Sequence, residues 1–255
     1  MPNSTLYAFI LSFLAGISTI IGSLIIFIDK NKSNKIITSS LSFAAGVMIT
    51  VSLTDLLPNS FSMILDTNNY FPKILLTLIF MVMGIIISML IDKYLPDSNN
   101  ENKDKYLYKI GIISMIAIIL HNIPEGIATF ITSSNNIKLG ITLSVAIALH
   151  NIPEGISISV PIYHSTNNRK KALFYSAISG LSEVGGSIIA YLFLKPIITD
   201  NIMGSLYALI AGIMIHISVY ELIPGAYRQS TLKYVLKYFI FGFIIMMIAH
   251  LLMTL

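Results

Sequence analysis

The sequence predicts an all-α integral membrane protein, eight transmembrane helices in a single domain over residues 1–255, arranged 3+2+3. Three observations carry this. Of the 255 residues 55% are apolar and only 11% charged, whereas a soluble domain carries about 25% charge, so a water-soluble globule is all but excluded. Apolar stretches long enough to cross a bilayer, which takes ~20 residues, recur eight times. Segments from the two ends of the chain also repeat each other. There is no cysteine, which rules out disulfides, thiolate metal sites and thiol redox chemistry.

In chain order the stretches are Leu6–Ile28, Ile36–Leu57, Ile74–Ile91, Ile110–Ile131, Leu139–Ile162, Ala172–Leu194, Ile202–Leu222 and Leu232–Leu255. An open sheet leaves edge amides unpaired in lipid, and barrel strands alternate polar and apolar positions. These stretches do not alternate, so each is read as a helix. The head of the first, Met1 to Thr5, has no positive charge, and its apolar run is longer than a leader's. It therefore counts as helix 1. Helix 2 carries AAGVMITVSLTDLLP (Ala44–Pro58), and helix 3 leads into the longest connection, around Pro96–Lys105, which is Asn-rich, charge-mixed and reads as a mobile loop. Helices 4 and 5 both contain LHNIPEG, at Leu120–Gly126 and Leu149–Gly155, 29 residues apart. Helix 6 carries Glu183 within SGLSEVGG (Ser179–Gly186), helix 7 carries IAGIMIHISVYELIP (Ile210–Pro224), and helix 8 is the last.

The connections 1–2, 3–4, 5–6 and 7–8 hold 13 Lys and Arg residues, against 3 on the other side (Lys73, Lys138 and Lys195). By the positive-inside rule both termini face outward. The net charge of +4 and the pI near 9.1 are thus a matter of topology, and no nucleic-acid partner is called for.

At an offset of 166, Gly46 matches Gly212, Met48 matches Met214, Ser52 matches Ser218, Asp55 matches Glu221 and Pro58 matches Pro224. At an offset of 164, Gly16, Ser18 and Gly22 match Gly180, Ser182 and Gly186. The matching helices run in opposite directions through the membrane. Helices 1–3 and 6–8 therefore read as inverted repeats around the central antiparallel pair, an arrangement of secondary transporters, whose substrate site lies at the midplane.

An ionisable side chain at the bilayer centre costs ~2.5–3.5 kcal/mol on insertion scales and marks function by default. Five cluster at mid-span depth: His121, Glu125, His150, Glu154 and Glu183. On a helix His121, Asn122 and Glu125 share one arc, and His150, Asn151 and Glu154 line the facing arc. Crowded carboxylates in low dielectric repel one another, and a divalent cation between them removes that penalty. Histidine with carboxylate suits Zn, Fe(II), Mn, Co or Ni, while Mg or Ca would favour all-oxygen ligands. Ligands on both arcs can hold two ions with the glutamates shared. Pro124 and Pro153 free the carbonyls of Leu120 and Leu149, which is tolerated where they face a polar cavity.

At these residues the sequence resembles the ZIP (Zrt/Irt-like) metal transporters, most closely the bacterial ZupT type. The match covers essentially the whole chain and rests on the paired HNIPEG, on SGLSEVGG and on FAAGVMITVSLTDLLP (Phe43–Pro58). The resemblance implies uptake of Zn(II), with Fe(II), Mn(II) and Co(II) as further cargo, across a bacterial inner membrane at a binuclear centre. It assigns one metal to Glu125, His150 and Glu154 with His121 nearby, and the second to Asn122, Glu125, Asn151, Glu154 and Glu183. Two features depart from it: the 3–4 loop has no histidines, and helix 2 carries Asp55 where glutamate is expected.

The expected protein is a permease working by alternating access, not an enzyme. It needs no cofactor beyond the carried ion, and its partners are divalent metals and the lipid bilayer. Monomer and homodimer both stay open, as do proton coupling and rocking versus elevator motion. An intramembrane zinc metalloprotease is one alternative. Zincins place two histidines at i and i+4 with a glutamate beside the first, whereas here Asn122 and Asn151 take the neighbouring position and glutamate takes i+4. A metal efflux carrier or a sensor is the other. Asp55 and Glu221, related by the repeat, are expected as entrance and exit acids. His164 and His216 are candidate relays, and His250 is a weaker one.

Overall fold

The computed structural model describes residues 2–28, 33–65, 68–94, 103–194 and 199–254. Most of the Pro96–Lys105 connection, together with Lys30, Lys32 and Lys195, lies outside the described residues. Within them eight helices are long and apolar enough to cross a membrane: α1 (Ser4–Phe27), α2 (Asn34–Met63), α3 (Tyr70–Tyr94), α4 (Asp104–Asn135), α5 (Ile137–Thr166), α6 (Arg169–Phe193), α7 (Asp200–Tyr227) and α8 (Leu232–Leu252). No strand occurs among the described residues. The eight expected stretches are these helices, most of them a turn or more longer than hydropathy alone drew them.

Side-chain caps set the tight turns. Between α4 and α5 stands Asn136, whose Oδ1 accepts from the N–H groups of Lys138 and Leu139. Two asparagines divide α5 from α6: Asn167 takes the left-handed conformation at φ 55°, and Asn168 accepts from the Lys171 N–H at 3.0 Å. These turns define an Asn136 end and an Asn168 end of the bundle.

Inside α2 and α7 the winding loosens into π turns, Ser52–Leu56 and Ser218–Leu222. The two turns occupy equivalent places in the repeat, and each comes just before a proline, Pro58 or Pro224. A proline cannot donate to the carbonyl four residues back and its ring crowds that carbonyl. A π turn takes up the misfit, and such turns frequently mark functional sites. Asp55 and Glu221 hold the fourth position of their respective turns.

The helices pack as two foursomes, α1, α4, α5 and α6 in one and α2, α3, α7 and α8 in the other. Each foursome is held by bare backbone on backbone. A Cβ at Gly126 would strike the Glu183 carbonyl, and one at Gly155 the Thr19 carbonyl; in the second foursome Gly46 lies against Phe239 and Gly212 against Met81. Small residues allow this close approach between membrane helices. The foursomes meet along α2 on α5 and α4 on α7, where side chains such as Leu41, Ile110 and Ile158 share one buried cluster. Helices α3 and α8 are the least covered by the rest of the described protein.

Candidate metal centre

Helices α4 and α5 bring their HNIPEG segments side by side in the interior of the first foursome. His150 Nε2 lies 2.9 Å from Glu125 Oε1, His121 Nε2 lies 3.2 Å from the same oxygen, and His121 Nε2 lies 3.5 Å from Glu154 Oε1. The two imidazole centroids are 5.9 Å apart. His121, His150 and Glu154 each offer a ligand atom within 4.8 Å of the others. All four residues are buried, Glu154 completely. The i and i+4 spacing puts His and Glu on one helix face, and the close approach of Gly126 and Gly155 to α6 and α1 fixes both helices in depth.

Asn122 and Asn151 turn the other way. Asn122 Nδ2 donates to the Ser179 carbonyl on α6 at 2.9 Å. Asn151 Nδ2 donates to the Ala15 carbonyl on α1 and to Glu183 Oε2, both at 3.0 Å. Each asparagine thereby keeps its carbonyl oxygen free. All seven residues singled out from the sequence are buried. Four gather as a His–Glu cluster, and Glu183 joins through Asn151.

Six buried oxygens in this set make no hydrogen bond: both of Glu154, Glu125 Oε2, Glu183 Oε1, Asn122 Oδ1 and Asn151 Oδ1. A buried acceptor left unpaired costs about 1–3 kcal/mol. Nitrogen and oxygen donors converging without thiolate form the donor set of a divalent transition metal, and the carboxylates supply the charge such an ion needs.

The profile of the family described as ZIP Zinc transporter matches residues 3–106 and 96–250. The chain is 39% identical to the zinc transporter ZupT of Streptococcus mutans, covering 99% of each. It is 38% identical to that of Clostridium perfringens over 98% of this chain and 97% of the relative, and 38% identical to that of Chlorobium chlorochromatii over the full length of both. The chain belongs to the ZIP zinc transporter family. It is a membrane transporter and not an enzyme.

In this ZIP-family chain a cleft of ≈ 330 Å³ leads from the Asn136 end to His150, past Asp55, Thr132, Met246 and His250. Asp55 accepts from Asn59 Nδ2 at 2.6 Å. A second, smaller cavity reaches Glu125 and is lined by Asp55, Asn59 and Tyr207. Asn59 and Tyr207 escape a reading of the sequence. Asn59 is marked only by standing four residues after Asp55, and nothing local marks Tyr207. His250, the weakest of the relay candidates, proves to line the larger cleft.

The other candidates occupy the Asn168 end, outside the His–Glu cluster. His216 hydrogen-bonds through Nδ1 to Ser88 Oγ at 2.9 Å and stacks on Tyr220 at 4.8 Å, which holds it between α7 and α3. His164 packs edge-on against Tyr163. Glu221 is buried. Near it Lys109 of α4 pairs with Asp92 of α3 at 2.6 Å, an ion pair that crosses from one foursome to the other.

Proposed function

We propose that this chain, a single transport unit over residues 1–255, imports Zn(II) into the cytoplasm, with Fe(II), Mn(II) and Co(II) as further cargo. The His–Glu cluster, together with six unpaired buried oxygens on Glu125, Glu154, Glu183, Asn122 and Asn151, carries this reading. They favour a binuclear site: one ion on Glu125, His150 and Glu154 with His121 beside it, the other on Asn122, Glu125, Asn151, Glu154 and Glu183. Its similarity to zinc transporters supplies zinc as first cargo.

The direction rests on charge. With 13 of 16 Lys and Arg residues in the odd-to-even connections, the Asn136 end faces outward and both termini lie outside a bacterial inner membrane. The ≈ 330 Å³ cleft is then the entrance, and the end closed by Lys109 and Asp92 is the exit. Alternating access follows if the two foursomes move past each other. Side-chain contacts between them resist this less than the backbone contacts within them. Asp55 and Glu221 are the entrance and exit acids.

The test is uptake of radiolabelled zinc, iron and manganese by liposomes holding the pure protein. Zinc accumulates with the native chain and fails to accumulate with Glu154→Ala. Native protein that takes up none of the three metals sinks the reading. Expression in a zinc-uptake-deficient host separates import, which rescues growth at low zinc, from export, which worsens it.

A further inference from the structure

Glu125 uses only half of its carboxylate. Oε1 faces His150 Nε2 at 2.9 Å and His121 Nε2 at 3.2 Å, whereas Oε2 is buried and makes no hydrogen bond. Glu125 also lines the smaller cavity, ≈ 30 Å³, with Asp55, Asn59 and Tyr207 as its other polar residues and Leu143 and Ile147 among its apolar ones. Holding a water takes about 10–15 Å³ of space open to a water-sized sphere, and a buried water takes two to four polar partners. Both conditions are met here. The walls also come from both foursomes: Glu125, Leu143 and Ile147 from α4 and α5, and Asp55, Asn59 and Tyr207 from α2 and α7. Tyr207 packs against both hydrophobic clusters, which fixes its height beside the cavity.

We propose that this cavity holds a single ordered water that ties Glu125 to Tyr207, making Tyr207 a positioning residue for the cargo site. The water donates one hydrogen to Glu125 Oε2 and the other to the Asp55 carboxylate, and it accepts from the Tyr207 hydroxyl. Asn59 keeps Asp55 in place through the 2.6 Å bond from its amide. The bridge spans the boundary between the foursomes, so it fixes the Glu125 carboxylate in the arrangement with the cleft open and breaks when the foursomes shift. Tyr207 thus acts on cargo affinity from the entrance side, and because the bridge has to break before the foursomes shift, its loss does not slow the conformational step.

The assignment of Glu125 as a ligand rests on the transport reading above, so the test has one arm without metal. Radiolytic hydroxyl labelling of the metal-free protein in detergent, followed after transfer to ¹⁸O water, detects a slowly exchanging water beside an aromatic ring. Tyr207 is expected to be labelled and to retain the isotope of the original water. In the second arm, Tyr207→Phe keeps the ring and removes the hydroxyl. Loss of one hydrogen bond predicts a rise in KM for zinc of about three- to tenfold, with maximal uptake within about twofold of native. An unlabelled Tyr207 overturns the proposal, as does Tyr207→Phe with an unchanged KM or with maximal uptake reduced in step. Native protein that takes up no zinc removes the transport reading and leaves the labelling result to judge the water.

Discussion

Glu154 is fully buried with neither carboxylate oxygen hydrogen-bonded, and a residue in that position weakens the metal-free fold rather than supporting it. Breaking one partner of a buried charge pair usually destabilises. Its imidazole neighbours stand back from it, His121 at 3.5 Å and His150 within 4.8 Å, neither in a hydrogen bond with it, so stability and transport separate. Asn122→Ala is expected to lower the bound-zinc stoichiometry from two towards one, read by metal analysis of the dialysed protein. Glu125→Ala, which removes the ligand proposed to be shared by both ions, is expected to abolish binding altogether. For Glu154→Ala the melting temperature without metal is expected to stay within a few degrees of native, while the zinc-induced rise, which follows ligand linkage, shrinks in all three variants. The seven buried polar residues proposed for the site were legible because each is a polar group where only apolar ones insert cheaply. Their partners were not. That Glu125 rather than Glu154 receives His150, or that Asn122 reaches the Ser179 carbonyl, is decided by the rotation of α4, α5 and α6 about their axes. Local spacing does not encode that rotation, and Tyr207, 82 residues beyond Glu125 in the chain, leaves no local trace.

The π turns of α2 and α7 show what an element adds to its sequence. The shared acid-x-x-Pro ending was readable, and so was the pairing of Asp55 with Glu221. The loosened winding was not, because a helical wheel assumes 3.6 residues per turn and misplaces every side chain beyond an inserted one. The turns set Asp55 beside the cleft that reaches His150 and leave Glu221 buried at the Asn168 end. Two variants assayed by zinc flux test the pairing. Asp55→Asn is expected to raise KM several-fold with little change in maximal rate, since it acts on arrival. Glu221→Asn is expected to lower the maximal rate by a similar factor, since it acts on departure. Unchanged flux in both discards the pairing of entrance and exit.

Across the whole molecule the linear order 3+2+3 becomes a spatial 4+4, with α1 and α6 of the repeats joining α4 and α5. Internal repeats disclose symmetry between segments, but which segments touch depends on where glycines face each other, and that emerges only on packing. Lys109 and Asp92, half-buried at 2.6 Å, fasten the two foursomes at the Asn168 end. Partly exposed pairs contribute about 0–1 kcal/mol, so Lys109→Met is expected to raise accessibility at that end only about two- to fivefold. A single cysteine introduced there reads this directly, because the chain has none of its own. The reversal Lys109→Asp with Asp92→Lys restores the native level if the pair is the fastening, and a reversal no better than the single variant rules it out. Where carbonyls rest against glycines, as at Gly155 on Thr19 and Gly212 on Met81, helices interlock too deeply to loosen one at a time. Heating the protein should therefore first let the two blocks slip as intact bodies. Amide exchange would then quicken along the facing surfaces of α2 and α5 well before it quickens between α1 and α5.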